Sequence, residues 1–261
     1  MENKDVFQQI IRDYEAARPG YPDELFCDII NFAGFSSQAK ILEIGAGPGQ
    51  ATESFVKRGF DVTALEISEK QVSFLREKFA GYGNFRAVCS TFEDFACEDN
   101  LFDLIFSATA FHWIPPEIGY PKVYRLLNRG GVIAVFWHLA SIVEPKTDLQ
   151  QQIRAVYRKH APQLDDYLTD AEAETLHERR LQEIQSDRLF QSPVAKRYRW
   201  DDLYPTERYL RLMNSYSDFH SISPEDRRAI MNDVSALIDQ AGGVVRIPQE
   251  VRLYLAKKPP V

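Results

Sequence analysis

From Lys40 to about Trp137, short apolar runs alternate with amphipathic stretches. Ile41-Leu42-Glu43-Ile44 predicts a buried strand. Ala51 to Arg58 predicts a helix stopped by Gly59, in the C′ position that glycine fills at least cost. Asp61 to Ile67 is the next strand. Ser68 then supplies an N-cap with Gln71 at capping-box distance, and a helix runs to about Ala80. Phe85–Cys89 and Phe102–Phe106 follow as strands, Pro121–Leu127 as a helix, and Val132–Trp137 as a fifth strand. Strands alternating with helices at this spacing imply right-handed βαβ units and a mostly parallel sheet. Near-continuous apolar strands fit a sheet covered on both faces.

The flanks depart from this rhythm. Residues 1–37 read as an N-terminal helical cap segment, 38–140 as the core, and 141–195 as a charged helical insertion or lid. Residues 196–261 contribute strands and helices that complete the sheet: Lys196–Trp200, helices near Glu207–Tyr216 and Pro224–Gln240, and a last strand from Val244. The predicted fold class is α/β, a Rossmann-like sheet with helices on both faces and a helical cap.

Composition narrows the function classes. A length of 261 residues allows one good core with modest additions, and 44% hydrophobic with 26% charged residues is ordinary for a globular chain. A net charge of −7 without a basic block lacks the footprint for a phosphate backbone, so nucleic acid is not an expected partner. Three cysteines without CxxC or CxxH spacing argue for a reducing compartment and against a metal site. With no apolar h-region near Met1 and no membrane-length apolar run, the expectation is a cytoplasmic protein without a membrane partner. Whether it is a monomer or a homodimer is open.

The strongest chemical signal is Leu42-Glu43-Ile44-Gly45-Ala46-Gly47-Pro48-Gly49, between a strand and a helix. Ligands of open α/β sheets bind beyond the carboxyl ends of the strands, and glycines there let the backbone turn sharply and approach closely. No Lys-Ser/Thr follows, which excludes a P-loop, and GxGxG differs from the dinucleotide pattern GxGxxG. Glu66 stands at the end of the second strand, seventeen positions beyond Gly49, where a carboxylate can accept from both hydroxyls of a ribose. Loop and acid together signal an adenosine-containing ligand. By themselves they do not separate S-adenosylmethionine from NAD.

Several segments then carry a resemblance: Ile41 through Thr52, Ala64-Leu65-Glu66-Ile67-Ser68, Ser90 through Phe95, and Phe102 through Trp113. Tyr14 through Pro22 and Tyr198 through Tyr216 extend it. The chain resembles the class I S-adenosylmethionine-dependent methyltransferases, in the methyltransferase type 11-like branch with trans-aconitate methyltransferase-like and biotin- and quinone-pathway-like small-molecule enzymes. The resemblance implies a seven-stranded sheet with a reversed last strand, Val244 to Ala256 being the edge hairpin partner of Lys196 to Trp200. It implies S-adenosylmethionine as cofactor, S-adenosylhomocysteine as product, and a small-molecule methyl acceptor, a carboxylic acid being one candidate class.

Carried over by position, Gly45, Gly47 and Gly49 would lie against the methionine part of the cofactor and Glu66 would take the ribose. Thr91 and Phe92 would flank the adenine, and Ser107 with Ala108 would line the sulfonium end. Thr91 departs from relatives that carry Asp there, which puts that contact in doubt. Tyr14 and Arg18 are further cofactor candidates, Arg18 by pairing with a carboxylate or else by ending the N-terminal helix before Pro19. His112, just past the fourth strand, is the candidate catalytic base, set against a packing role beside Trp113. The competing readings are an NAD(P)-dependent Rossmann oxidoreductase, which the GxGxG spacing speaks against, and a non-catalytic S-adenosylmethionine-binding protein.

Overall fold

The computed structural model of the protein describes residues 17–139, 147–164, 169–216 and 218–260. Its elements, numbered among these residues, begin with α1 (Asp23–Ala33), β1 (Lys40–Ile44), α2 (Thr52–Val56), β2 (Asp61–Glu66) and α3 (Glu69–Lys78). There follow β3 (Phe85–Cys89), β4 (Phe102–Ala108), α4 (Pro116–Leu126) and β5 (Leu127–His138). The remainder comprises α5 (Asp148–His160), α6 (Asp170–Gln185), β6 (Gln191–Pro205), α7 (Thr206–Asn214), α8 (Pro224–Gln240) and β7 (Val244–Lys257).

The seven strands form one sheet in the order β3-β2-β1-β4-β5-β7-β6. β1 to β5 pair in parallel, and β7 runs antiparallel to β5, with Val135 opposite Tyr254 and His138 opposite Val251. Strand order reverses at β1, whose neighbours are β2 and β4, so the ligand-binding crevice of such a sheet falls beyond the carboxyl ends of these strands. Ile41 to Ile44, Val62 to Glu66 and Val132 to Trp137 are buried at consecutive positions, so side chains of both parities, and hence both faces, are covered.

Local chemistry explains the ends of the elements. The Ser68 hydroxyl accepts from the Gln71 amide and starts α3. Gly34 caps α1 at φ +67°. α4 begins at Pro116, five residues earlier than the pattern suggests, because Pro116 occupies the first turn, where proline is tolerated, and Pro121 sits inside the helix. β7 is not the edge strand. It lies between β5 and β6, and its residues Gln249 to Ala256 are buried in unbroken succession, as a strand flanked on both sides requires. β6, largely exposed along its length, takes the edge.

The chain forms two compact units, each assembled from separated stretches. One comprises Gly20–His138, Leu176–Tyr198 and the described part of Val251–Val261. Its core is the interior of the sheet, with Ile41, Leu42, Val62, Leu104, Phe106, Ile133 and Phe136 fully enclosed. The other comprises the described parts of Met1–Pro19, Leu139–Thr175 and Arg199–Glu250. Its core gathers Ile153, Tyr204, Leu212, Met213, Phe219, Ile230, Val234 and Ile238.

Candidate functional site

The turn after β1 is held from inside. The amides of Gly45 and Ala46 both donate to the Leu65 carbonyl at 3.0 Å, and Gly49 donates to Ala46. The Gly47 amide donates to Glu66 Oε2 at 3.0 Å, while Glu66 Oε1 accepts from the Ser68 amide at 3.0 Å. Glu66 at the tip of β2 therefore reaches across to the loop at the tip of β1. The three glycines differ in purpose. Gly45, Gly47 and Gly49 all have positive φ, but a Cβ on Gly45 would stand 2.5 Å from Ala110 Cβ, and one on Gly49 2.7 Å from Leu75. Gly47 faces open space, with only Gln71 Oε1 at 4.0 Å.

Beneath the turn, Glu43 is fully buried and accepts from the Thr52 hydroxyl. Its Oε1 has no hydrogen-bond partner. Burial pushes its pKa up to about 8.

The other expected contacts are engaged locally. Thr91 Oγ1 donates to Asp94 Oδ2 at 2.8 Å and accepts from the Asp94 amide at 3.0 Å, closing a turn. Phe92 is buried, with Lys122 Nζ 5.2 Å from its ring centre. Ser107 is buried and donates to the Ile44 carbonyl at 2.8 Å, tying β4 to the end of β1. Ile67, which sequence reasoning passed over, is 72% exposed directly after Glu66.

A second cluster gathers at the carboxyl ends of β4 and β5. Thr109 has φ +58°, a conformation rare for a β-branched residue and common at sites held under constraint. Its hydroxyl lies 3.2 Å from the Tyr21 hydroxyl and accepts from the His138 amide at 3.3 Å. Tyr21 packs edge-on against Phe136 at 4.9 Å between centres. The Trp137 indole N–H donates to His112 Nδ1 at 3.1 Å, and burial, followed by the charge of Arg180, lowers the His112 pKa. The Arg180 guanidinium lies 3.7 Å over the Trp137 ring, and Trp113 beside His112 is 80% exposed. Trp137, Tyr120 and Arg180 escaped the sequence reading. The available signal for Trp137 was its place at the end of the fifth strand, whereas Arg180 lies on a charged helix that reads as solvated.

Arg18 belongs to the other compact unit. Its Nε donates to Ser215 Oγ at 3.0 Å, its Nη2 to the Ser215 carbonyl at 3.2 Å, and it stacks 4.1 Å over Tyr216. Tyr14 lies outside the described residues. Among the described residues, no group of three or more His, Cys, Asp or Glu is arranged to hold a metal ion, and no helix is long and apolar enough to cross a membrane.

Residues 42–135 match the family described as a methyltransferase domain. The fold is a methyltransferase fold. The chain is similar to a proposed type II methyltransferase of Anaeromyxobacter dehalogenans, at TM-score 0.64 and 17% identity over 94% of this chain and 98% of that one. It is also similar to phosphoethanolamine N-methyltransferase 2 of Haemonchus contortus, solved with phosphomonomethylethanolamine and S-adenosylhomocysteine, at TM-score 0.55 and 17% identity over 95% of this chain and 57% of that one. In sequence, it is 32% identical over 132 residues to an uncharacterized methyltransferase of Mycobacterium tuberculosis, covering 51% of each chain. The matched stretch thus spans about half the length of that relative.

Proposed function

We propose that this chain binds S-adenosylmethionine at the tips of β1 and β2 and transfers its methyl group to a small molecule by in-line displacement. The observation that carries the reading is the inward commitment of the loop amides. Phosphate-binding loops aim their N–H groups at the ligand. Here those of Gly45, Ala46, Gly47 and Gly49 donate to Leu65, Glu66 and Ala46 instead. A carboxylate on the loop repels a pyrophosphate and suits a cofactor whose reacting end is a cation.

S-adenosylmethionine supplies, when bound, a methyl group already activated for displacement. The chain's own residues then bind, orient and exclude water. Glu66 keeps lone pairs on both oxygens for ribose hydroxyls, Gly47 leaves room for close approach, and Ile67 offers an apolar face to the adenine ring. His112 serves as a donor rather than a base. Its Nδ1 accepts from Trp137, so the neutral ring keeps its proton on Nε2 and has no free lone pair. The acceptor is then one that needs no proton removed by the protein before attack. The likeness to the small-molecule branch named above supports a small acceptor, as does the neighbour solved with phosphomonomethylethanolamine.

Calorimetry with S-adenosylmethionine, S-adenosylhomocysteine and NADH tests the cofactor. Both adenosyl ligands are expected to bind and NADH to give no heat of binding; tight NADH binding without a response to the others would overturn the reading. Incubation with methyl-labelled S-adenosylmethionine and a panel of small acids, phenols and amines is expected to move label to an acceptor. Cofactor binding with persistent failure of transfer would favour a binding-only protein.

A further inference from the structure

Arg180 is 7% exposed, yet it carries a permanent charge. A buried cation is costly unless an anion compensates it. Among the described residues, its contacts are the face of Trp137 at 3.7 Å and a side-chain hydrogen bond with Tyr254, whose hydroxyl also lies 2.9 Å from His177 Nδ1. Glu183, one turn along the same helix, lies 3.4 Å from Arg179, and no carboxylate stands within ion-pair distance of Arg180 among the described residues. Burial lowers the Arg180 pKa, as it does for a cation without a close counter-charge.

A second group is unsatisfied in the same region. The Tyr120 hydroxyl is buried without a hydrogen-bond partner; burial, followed by the charge of Glu183, raises its pKa, and the charge of Arg180 opposes that rise. His112, joined to this cluster through Trp137, presents its Nε2–H as a third donor. The surrounding rings of Trp137, Tyr254, Phe111 and Tyr120 are apolar; Trp137 packs edge-on to Tyr254 at 5.7 Å, and Phe111 to Tyr120 at 5.0 Å. A buried cation with no carboxylate at ion-pair distance among the described residues, a buried hydroxyl with no partner and the His112 Nε2–H are donors suited to an oxyanion.

We propose that Arg180, stacked on Trp137, is the counter-charge for a carboxylate on the methyl acceptor, with Tyr120 and His112 as its neutral donors. This rests on the cofactor reading above and names the acceptor class. A carboxylate is favoured over a phosphate monoester because the cluster offers a single positive charge, His112 being held neutral, which balances a monoanion and leaves a dianion half compensated. The aromatic walls favour an acid with an apolar body.

The test is calorimetry on the protein saturated with S-adenosylhomocysteine, titrated with phenylacetate and hexanoate, their amides, and phenyl phosphate. The acids are expected to bind, the amides and phenyl phosphate at least about tenfold more weakly. Arg180→Met should weaken acid binding by about 10- to 100-fold while leaving S-adenosylhomocysteine affinity unchanged, and Arg180→Lys should recover part of it. Tyr120→Phe removes a hydroxyl with no partner in the protein, so it should leave the melting temperature intact and weaken acid binding by about two- to tenfold. It keeps the proposal falsifiable should Arg180→Met fail to fold. Equal binding of acids and amides, tighter binding of phenyl phosphate, no saturable acid binding, or unchanged acid affinity in both variants would each overturn the proposal. Loss of S-adenosylhomocysteine binding by the wild type would instead overturn the cofactor reading.

Discussion

The tips of β1 and β2 and the tips of β4 and β5 sit at the same end of one sheet, yet they treat their polar groups in opposite ways. At β1 and β2 nearly every donor is answered from within: Gly45 and Ala46 by Leu65, and Gly47 and Ser68 by Glu66. Around β4 and β5 two polar groups are left over: a buried guanidinium over Trp137 with no carboxylate at ion-pair distance among the described residues, and the Tyr120 hydroxyl without a partner. The first region is held by its own hydrogen bonds, which suits the proposed cofactor role. In the second, the proposed acceptor would supply the missing partner.

If the first region is a self-supporting frame, breaking it should cost the fold, and the largest effect is expected at Gly45. Gly45→Ala places a Cβ 2.5 Å from Ala110 at φ +70°, and a loss of about 2–4 kcal/mol is expected in urea unfolding. Gly47→Ala, with open space around it, should cost only about 1–2 kcal/mol. Equal costs would mean that the two glycines do not divide the work as described.

Removing the acid of the frame comes next. Glu66→Ala should weaken S-adenosylmethionine binding by roughly 1.5–3 kcal/mol, the range for hydrogen bonds to charged groups. An unchanged dissociation constant would detach the ribose from Glu66.

The buried acid below the frame gives a pH signature. Glu43 has a pKa of about 8, raised from the ordinary 4.5, so the folded state binds its proton more tightly than the unfolded chain does. Its stabilisation is complete below pH 4.5 and disappears as pH rises through 8. Thermal melts of the unliganded protein should fall between pH 5 and pH 8.5, and Glu43→Gln should remove that part of the slope. An identical slope in the variant would contradict the assignment.

The smallest expected effect sharpens the second region. Trp137→Phe keeps an aromatic ring but removes the N–H that fixes the His112 tautomer. Nitrogen-15 NMR of His112 should show the Nε2–H form in the wild type and a mixture in the variant, since one hydrogen bond of about 1 kcal/mol sets the preference. A mixture in the wild type would reopen the role of His112 as a base.

The contrast also explains what the sequence made legible. The β1 turn, Glu66 and the Ser68 cap are governed by residues within one strand-turn-helix unit or its neighbour, so spacing alone reveals them. The residue types at Thr91 and Ser107 were noted for the cofactor, but which way a hydroxyl turns depends on partners such as Asp94 and the Ile44 carbonyl. Tyr120, Trp137, Arg180 and Tyr254 come from four separate elements, and nothing in their local patterns marks them as neighbours. Arg18 and Tyr21, three positions apart in the sequence, fall in different compact units, a boundary that no local pattern marks.

A crystal structure with S-adenosylhomocysteine bound tests the central claim most directly. The account predicts both ribose hydroxyls within about 3.2 Å of the Glu66 carboxylate, the ligand's sulfur on the side of His112, and the Gly47 amide still donating to Glu66. A ribose held elsewhere, or a Glu66 side chain swung away from the glycine turn, would contradict it.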